Sequence, residues 1–233
     1  IIFNFVNFRH TRTRLGSNED VGLLKNLLTR AQIKYDVKTD VKTKEDMMKA
    51  LSNFAENEDH KLGCMAFIYI LSHGHIDGGG HYIRTSYEDK VYLEKDVYPL
   101  FYHDNCPNLE GKPKNFVIVG CRGGLEQEEN ATQTDDTPSD HDESIPNVSD
   151  ISIVYSTIPD YTSYRRIKGP LIGSWLITSY AEVLGALNEY KNDEDREYKR
   201  LLMRVSQNVK NKTFEEQWKT TIEICYRGFD SLL

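Results

Sequence analysis

Cysteine is scarce in this chain. Four occur in 233 residues (Cys64, Cys106, Cys121, Cys225), scattered, with no Cys-x-x-Cys pair. That pattern excludes a disulfide framework and a zinc-finger type of site, and it points to a reducing, intracellular (cytoplasmic) setting. The sequons at Asn130, Asn147 and Asn211 then read as chance matches. No apolar run approaches the roughly 20 residues that span a bilayer. The opening Ile1-Ile-Phe-Asn-Phe-Val6 is too short and lacks the basic start of a signal peptide. A chain that opens on such a core strand implies residues upstream of Ile1. Acidic charge without any basic residue to offset it is concentrated in one stretch. Residues 125–150 hold nine acids and no Lys or Arg. Setting those nine aside leaves 27 of the 36 acids against 29 basic residues, so the rest is near neutral. A near-neutral body excludes the electrostatic footprint of a nucleic-acid or membrane binder.

What is present is an alternation of strand and helix patterns. Ile1–Val6, Ile33–Val37, Met65–Leu71, Asn115–Val119, Ile151–Tyr155 and Thr220–Arg227 read as strands. Helical stripes run over Glu19–Ala31, Lys44–Asn57, Ser174–Tyr190 and Glu194–Asn208. A turn-rich stretch with Gly78-Gly-Gly80 follows the third strand, and Val91–Tyr102 is part strand and part helix. The order predicts an α/β domain with a mostly parallel sheet flanked by helices. Residues 125–150 interrupt it. Acidic, with Ser, Thr, Asn and two prolines, they bury too little to offset the entropy of ordering. They read as a mobile, protease-accessible linker between residues 1–124 and 151–233.

Two segments, with His73 and Cys121 48 residues apart, carry the chemistry. Ile-Leu-Ser-His73-Gly74 ends one buried strand and Val119-Gly-Cys121-Arg-Gly ends another. Strand ends in α/β sheets are where such folds build sites. A thiol and an imidazole at neighbouring strand ends are the parts of a nucleophilic dyad. Taken alone, Cys121 reads as an inert buried thiol and His73 as a turn histidine; their matched placement favours the dyad. Gly74 and the Cys121 backbone N–H are candidates for an oxyanion hole. His73, His75 and His81 lie close in sequence, but strand-then-loop spacing without a clear carboxylate makes them a poor metal site. Dyad chemistry needs no cofactor. Arg14 and Arg165 are candidates for binding an anion, because the guanidinium fork fits a carboxylate.

Over almost its whole length the chain resembles the caspase family. The established caspase signature is Gln-Ala-Cys-(Arg/Gln/Gly)-Gly with a histidine about 50 residues upstream. Further matches are Thr13-Arg-Leu-Gly-Ser17, Ser72-His-Gly74, Gly111-Lys-Pro-Lys114, Tyr155-Ser-Thr157, Ser163-Tyr-Arg165 and Gly173-Ser-Trp175. The resemblance implies a three-layer αβα sandwich around a mostly parallel six-stranded sheet. It implies a zymogen cut in the linker into large and small subunits, with Asp136, Asp142 and Asp150 as candidate processing sites. It implies cleavage of protein substrates after aspartate, in apoptosis or a related proteolytic pathway. Cys121, His73 and Gly74 would be catalytic, and Arg14 and Arg165 would hold the P1 side chain in S1. Val119, Thr162, Ser163, Tyr164 and Trp175 would line the groove. Pairing through the strand near 220–227 would give a homodimer, or a heterodimer with another caspase.

Four departures stand out. Val119 replaces the signature glutamine, an S1 donor; a hydrogen bond lost to a charged group costs on the order of 1.5–3 kcal/mol, roughly 10- to 150-fold. Gly120 is expected to loosen the backbone before the cysteine. Thr162 stands where an aromatic commonly lines S2, and Arg166–Ile172 is about three residues longer than the family pattern. These departures open a second reading, a catalytically impaired pseudo-caspase (decoy) that dimerises with and regulates an active caspase.

Overall fold

The structure, a computed structural model, describes residues 1–124, 149–166, 172–190, 196–213 and 219–228. Its centre is built on period-two burial. In β3 (Ala66–Leu71), Phe67, Tyr69 and Leu71 enter one hydrophobic cluster and Ala66, Ile68 and Ile70 the other. In β7 (Lys114–Val119), Val117 and Val119 join the first cluster and Phe116 and Ile118 the second. A strand buried on both faces needs a layer of structure on each side.

Among the described residues, six strands form the main sheet. β1 (Ile2–Asn4), β2 (Val37–Thr39), β3, β7 and β8 (Ile151–Tyr155) run parallel, and β11 (Glu223–Arg227) closes one edge antiparallel to β8, in the order β11-β8-β7-β3-β1-β2. Helices α1 (Ser17–Arg30), α3 (Trp175–Gly185) and α4 (Tyr198–Thr213) pack into the first cluster. α2 (Lys44–Ala55) and short helical turns between Leu93 and Leu109 pack into the second. The result is the expected three-layer αβα arrangement. No described helix is long and apolar enough to cross a membrane.

The helix starts follow local chemistry. The Thr43 hydroxyl accepts the Asp46 N–H at 3.1 Å ahead of α2, and the Ser174 hydroxyl accepts the Ile177 N–H at 3.2 Å ahead of α3. Gly16, at φ +80°, turns the chain into α1.

The structure moves several boundaries. The strand expected at Ile33–Val37 begins only at Val37, because Ile2 pairs in register with Val37 and fixes where the edge strand can bond. The turn-rich stretch after β3 is a three-stranded antiparallel sheet: β4 (Gly74–Asp77), β5 (Gly80–Arg84) and β6 (Lys90–Tyr92). Gly78-Gly79 makes its first turn. The helix expected over Ser174–Tyr190 stops at Gly185, and the final strand starts at Glu223. Two-residue strands β9 (Arg165–Arg166) and β10 (Gly173–Ser174) pair with each other beside the carboxyl end of the sheet. Of the expected linker only Ser149 and Asp150 are described; Asp136 and Asp142 lie outside the described residues.

Candidate active site

β3 and β7 are neighbours, in register through Leu71↔Val119. The residues two beyond each, His73 and Cys121, therefore leave the sheet at the same level. The two segments nearly touch there. A Cβ on Gly74 would lie 2.7 Å from the Cys121 carbonyl oxygen and 3.0 Å from that of Tyr82. Only glycine fits, so the hairpin that begins at Gly74 packs directly on the cysteine's backbone.

Gly120 is held rather than loose. Its N–H donates to the Ser156 hydroxyl at 3.1 Å, and that hydroxyl lies 3.2 Å from the Gly120 carbonyl. A Cβ there would sit 3.0 Å from the Ser72 carbonyl, so this chain trades a methyl group for close approach of β7 to the His73 turn.

His73 is partly buried, with its ring 4.6 Å from the Phe8 ring. Its Nε2 lies 2.6 Å from the Arg12 carbonyl oxygen, which can only accept, so Nε2 carries the proton. Nδ1 is then the nitrogen left for chemistry. Burial lowers the His73 pKa; the Arg12 carbonyl opposes this, while the charges of Arg14, Arg165 and Arg84 add to it. The Cys121 thiol is half-buried and its Sγ lies 3.8 Å from the Ser163 carbonyl oxygen.

Arg14 is 4% exposed. One of its terminal nitrogens, Nη1, donates to the Phe5 carbonyl and to the Ser17 hydroxyl, both at 2.9 Å. The other, Nη2, is buried without a hydrogen-bond partner. Arg165 is partly buried and reaches the Leu15 carbonyl at 3.5 Å. Burial drives the Arg14 pKa well below the ordinary arginine range, and the like charge of Arg165 pushes the same way. Asp20 is their shared neighbour of opposite sign. Two guanidinium groups, one with a spare N–H donor, thus lie together near Asp20 and Cys121.

Asp20 is fully buried. Oδ1 accepts the Ser174 N–H at 2.8 Å and lies 3.3 Å from the Ser174 hydroxyl, while Oδ2 has no partner. It ties α1 to the start of α3 beside the arginine pair. Sequence reasoning missed it, although a signal was present: Asp20 shares its helical face with Leu24 and Leu27, an acid inside an apolar stripe. It also missed the Arg12 carbonyl, for which no side-chain signal exists.

The remaining expected residues divide. Val119 is 1% exposed, in the core cluster that faces α1 and α3. Ser163 offers its carbonyl to the thiol, and the Thr162 hydroxyl lies 3.5 Å from the Gly123 carbonyl. Tyr164 packs partly against the first core cluster. Trp175, expected on the groove wall, is 7% exposed in that cluster, with the Arg166 guanidinium 4.8 Å above its ring. Asp150 is anchored where β8 begins: its N–H donates to the Gly228 carbonyl at 3.1 Å and its carbonyl accepts the Lys114 N–H at 2.7 Å.

A buried histidine lies behind the site. His81 is 7% exposed, 5.4 Å from the Tyr155 ring, and neither ring nitrogen makes a well-formed hydrogen bond. Burial, reinforced by Arg122, lowers its pKa to about 3.

A family model for the caspase domain matches residues 1–227. The chain is 33% identical to caspase-1 of Drosophila melanogaster over 80% of its length and 56% of that protein's. It is 33% identical to caspase-3 of Bos taurus over 90% of its length and 71% of that protein's. The crystal structure of caspase-1 from Spodoptera frugiperda superposes with a TM-score of 0.77 at 25% identity, covering 97% of this chain and 84% of that one. The chain spans about half the length of several of the relatives it matches.

Proposed function

The chain belongs to the caspase family, and from that premise we propose that it is a cysteine endopeptidase that cleaves protein substrates after aspartate. The observation that carries this reading is the arginine pair beside the thiol, Arg14 buried with Nη2 unpartnered and Arg165 partly buried. A P1 carboxylate accepts from both guanidinium groups; a neutral side chain would leave two desolvated cations unmatched. His73 Nδ1 takes the thiol proton, and the Cys121 sulfur attacks the carbonyl carbon. The N–H groups of Gly74 and Cys121 receive the oxyanion. The imidazolium then protonates the departing amine, and water, deprotonated by His73, hydrolyses the thioester. Ser163 and its neighbours Thr162 and Tyr164 border the acyl side of the substrate, while Trp175 contributes through the Arg166 stacked on it.

Activation by cutting the acidic segment fits Asp136 or Asp142 better than Asp150, whose backbone is hydrogen-bonded on both sides. The outer edge of β11 pairs with no strand among the described residues, which supports pairing with a second copy or another caspase there. A cytoplasmic setting agrees with the four unpaired cysteines.

Treating the protein with a peptide chloromethyl ketone bearing P1 aspartate tests the site. Mass spectrometry should find the adduct on Cys121, with much slower labelling by the P1 asparagine analogue. An adduct on Cys64, or equal labelling by both, would remove the reading. The impaired, partner-regulating alternative draws on one observation: the thiol faces the Ser163 carbonyl, and Val119 brings no donor to S1. That alternative gains if labelling needs an added active caspase.

A further inference from the structure

The loop that orients His73 also carries a cluster of uncommitted positive charge. Across the carboxyl end of the sheet, the segment after β8 lies on one side of Cys121, with His73 and then the loop after β1 on the other. If the acyl half of a peptide lies against Ser163, its leaving amine points to His73. The residues beyond the cut then cross residues 8–12, where Phe8 packs on the His73 ring and Arg12 holds Nε2.

Arg9, His10 and Arg12 are all exposed there. The Arg9 guanidinium carbon lies over the Tyr87 ring, 3.4 Å from its centroid, and the exposed Lys42 reaches the same ring at 5.9 Å. Stacking uses the face of a guanidinium and leaves its N–H edge for an anion. Two carboxylates that border the loop hold its backbone instead. Glu88 accepts the N–H groups of His10 and Thr11, both at 2.7 Å, and Asp40 accepts those of Val6 and Asn7 at 2.6 and 3.0 Å. Neither Arg9 nor Arg12 makes an ion pair among the described residues.

We propose that Arg9, Arg12 and Lys42 form a subsite for acidic residues on the leaving-group side of the cleaved bond. The preferred substrate is therefore an aspartate followed by an acid-rich tail. The direction of the peptide rests on the protease reading of Cys121 and His73. The charge fits a sequence the chain itself contains: after the candidate cut at Asp136 come Asp140, Asp142 and Glu143, with no Lys or Arg before position 151.

The test uses two peptides identical through P1 aspartate and differing after it, one tail rich in Asp and Glu, the other in Asn and Gln. The acidic tail should raise kcat/KM roughly 3- to 10-fold at low salt, an advantage that fades as salt screens it. Arg9→Glu should abolish or invert that ratio, and Arg12→Glu should also depress it. Cleavage of both peptides at equal rates would overturn the subsite and leave the protease reading standing. Fluorescence anisotropy with Cys121→Ala protein separates the two claims if neither peptide is cut. Tighter, salt-sensitive, Arg9-dependent binding of the acidic tail would uphold the subsite without catalysis. Equal binding of the two tails would overturn it.

Discussion

Gly74 concentrates the residue-scale constraint. Gly74→Ala would press a methyl group into the carbonyls of Cys121 and Tyr82, and crowding of that kind costs about 1–3 kcal/mol. The expected outcome is a lower urea midpoint together with a loss of turnover, since the same shift displaces the N–H proposed for the oxyanion. Turnover preserved in a normally folded variant would show that this contact is not part of the site. Val119→Gln works in the other direction. A donor at position 119, beside the proposed S1 site, should raise kcat/KM for P1 aspartate peptides by about 10-fold or more, measured beside P1 asparagine peptides. No gain with the fold intact would place the limit elsewhere in the groove.

Local residue chemistry explains what could be read from the chain beforehand. That Cys121 and His73 leave neighbouring strand ends was legible because each follows a continuous apolar run with a glycine beside it. The Arg12 carbonyl was not, because a backbone acceptor leaves no mark on side-chain sequence. Gly120 looked like a loosening of the strand, but its hold by Ser156 is a contact between segments 36 residues apart.

At the scale of elements, strands buried on both faces announced themselves, and β3, β7 and β8 fall within a residue of expectation. The edge strand β2 did not, since Ile33, Tyr35 and Val37 alternate while pairing with β1 begins only at Val37. The β4–β6 sheet was hidden by its short strands and Gly78-Gly79 turn, which read as irregular chain. Ser174 joins three elements: it caps α3, and its N–H bonds the Asp20 carboxylate of α1 next to the arginine pair. Ser174→Ala removes the cap and one contact to Asp20, so unfolding in urea should show a loss of about 1 kcal/mol. An unchanged midpoint would mean that the cap is not a source of stability.

The whole molecule carries a pH signature. His81 is neutral when folded, with a pKa lowered to about 3, and ordinary when unfolded. Below about pH 6.5 the unfolded chain therefore binds a proton that the folded chain refuses. Stability falls as the pH drops from there toward 3, at up to about 1.4 kcal/mol per pH unit for one such group. His73 and His60, also lowered by burial, act in the same direction. Urea titrations between about pH 6.5 and 4.5 should show a steeper loss for the native sequence than for His81→Leu. Parallel slopes would contradict a buried neutral His81.

The central claim is that Cys121, His73 and the Arg14–Arg165 pair make one aspartate-specific hydrolytic site. Its most direct test is hydrolysis of a fluorogenic peptide panel varied at P1, run on the processed protein and on Cys121→Ala. The account predicts release from P1 aspartate peptides far above P1 asparagine and P1 glutamate, and none from the variant. Hydrolysis that survives Cys121→Ala, or no hydrolysis of any peptide by the processed protein, would contradict it.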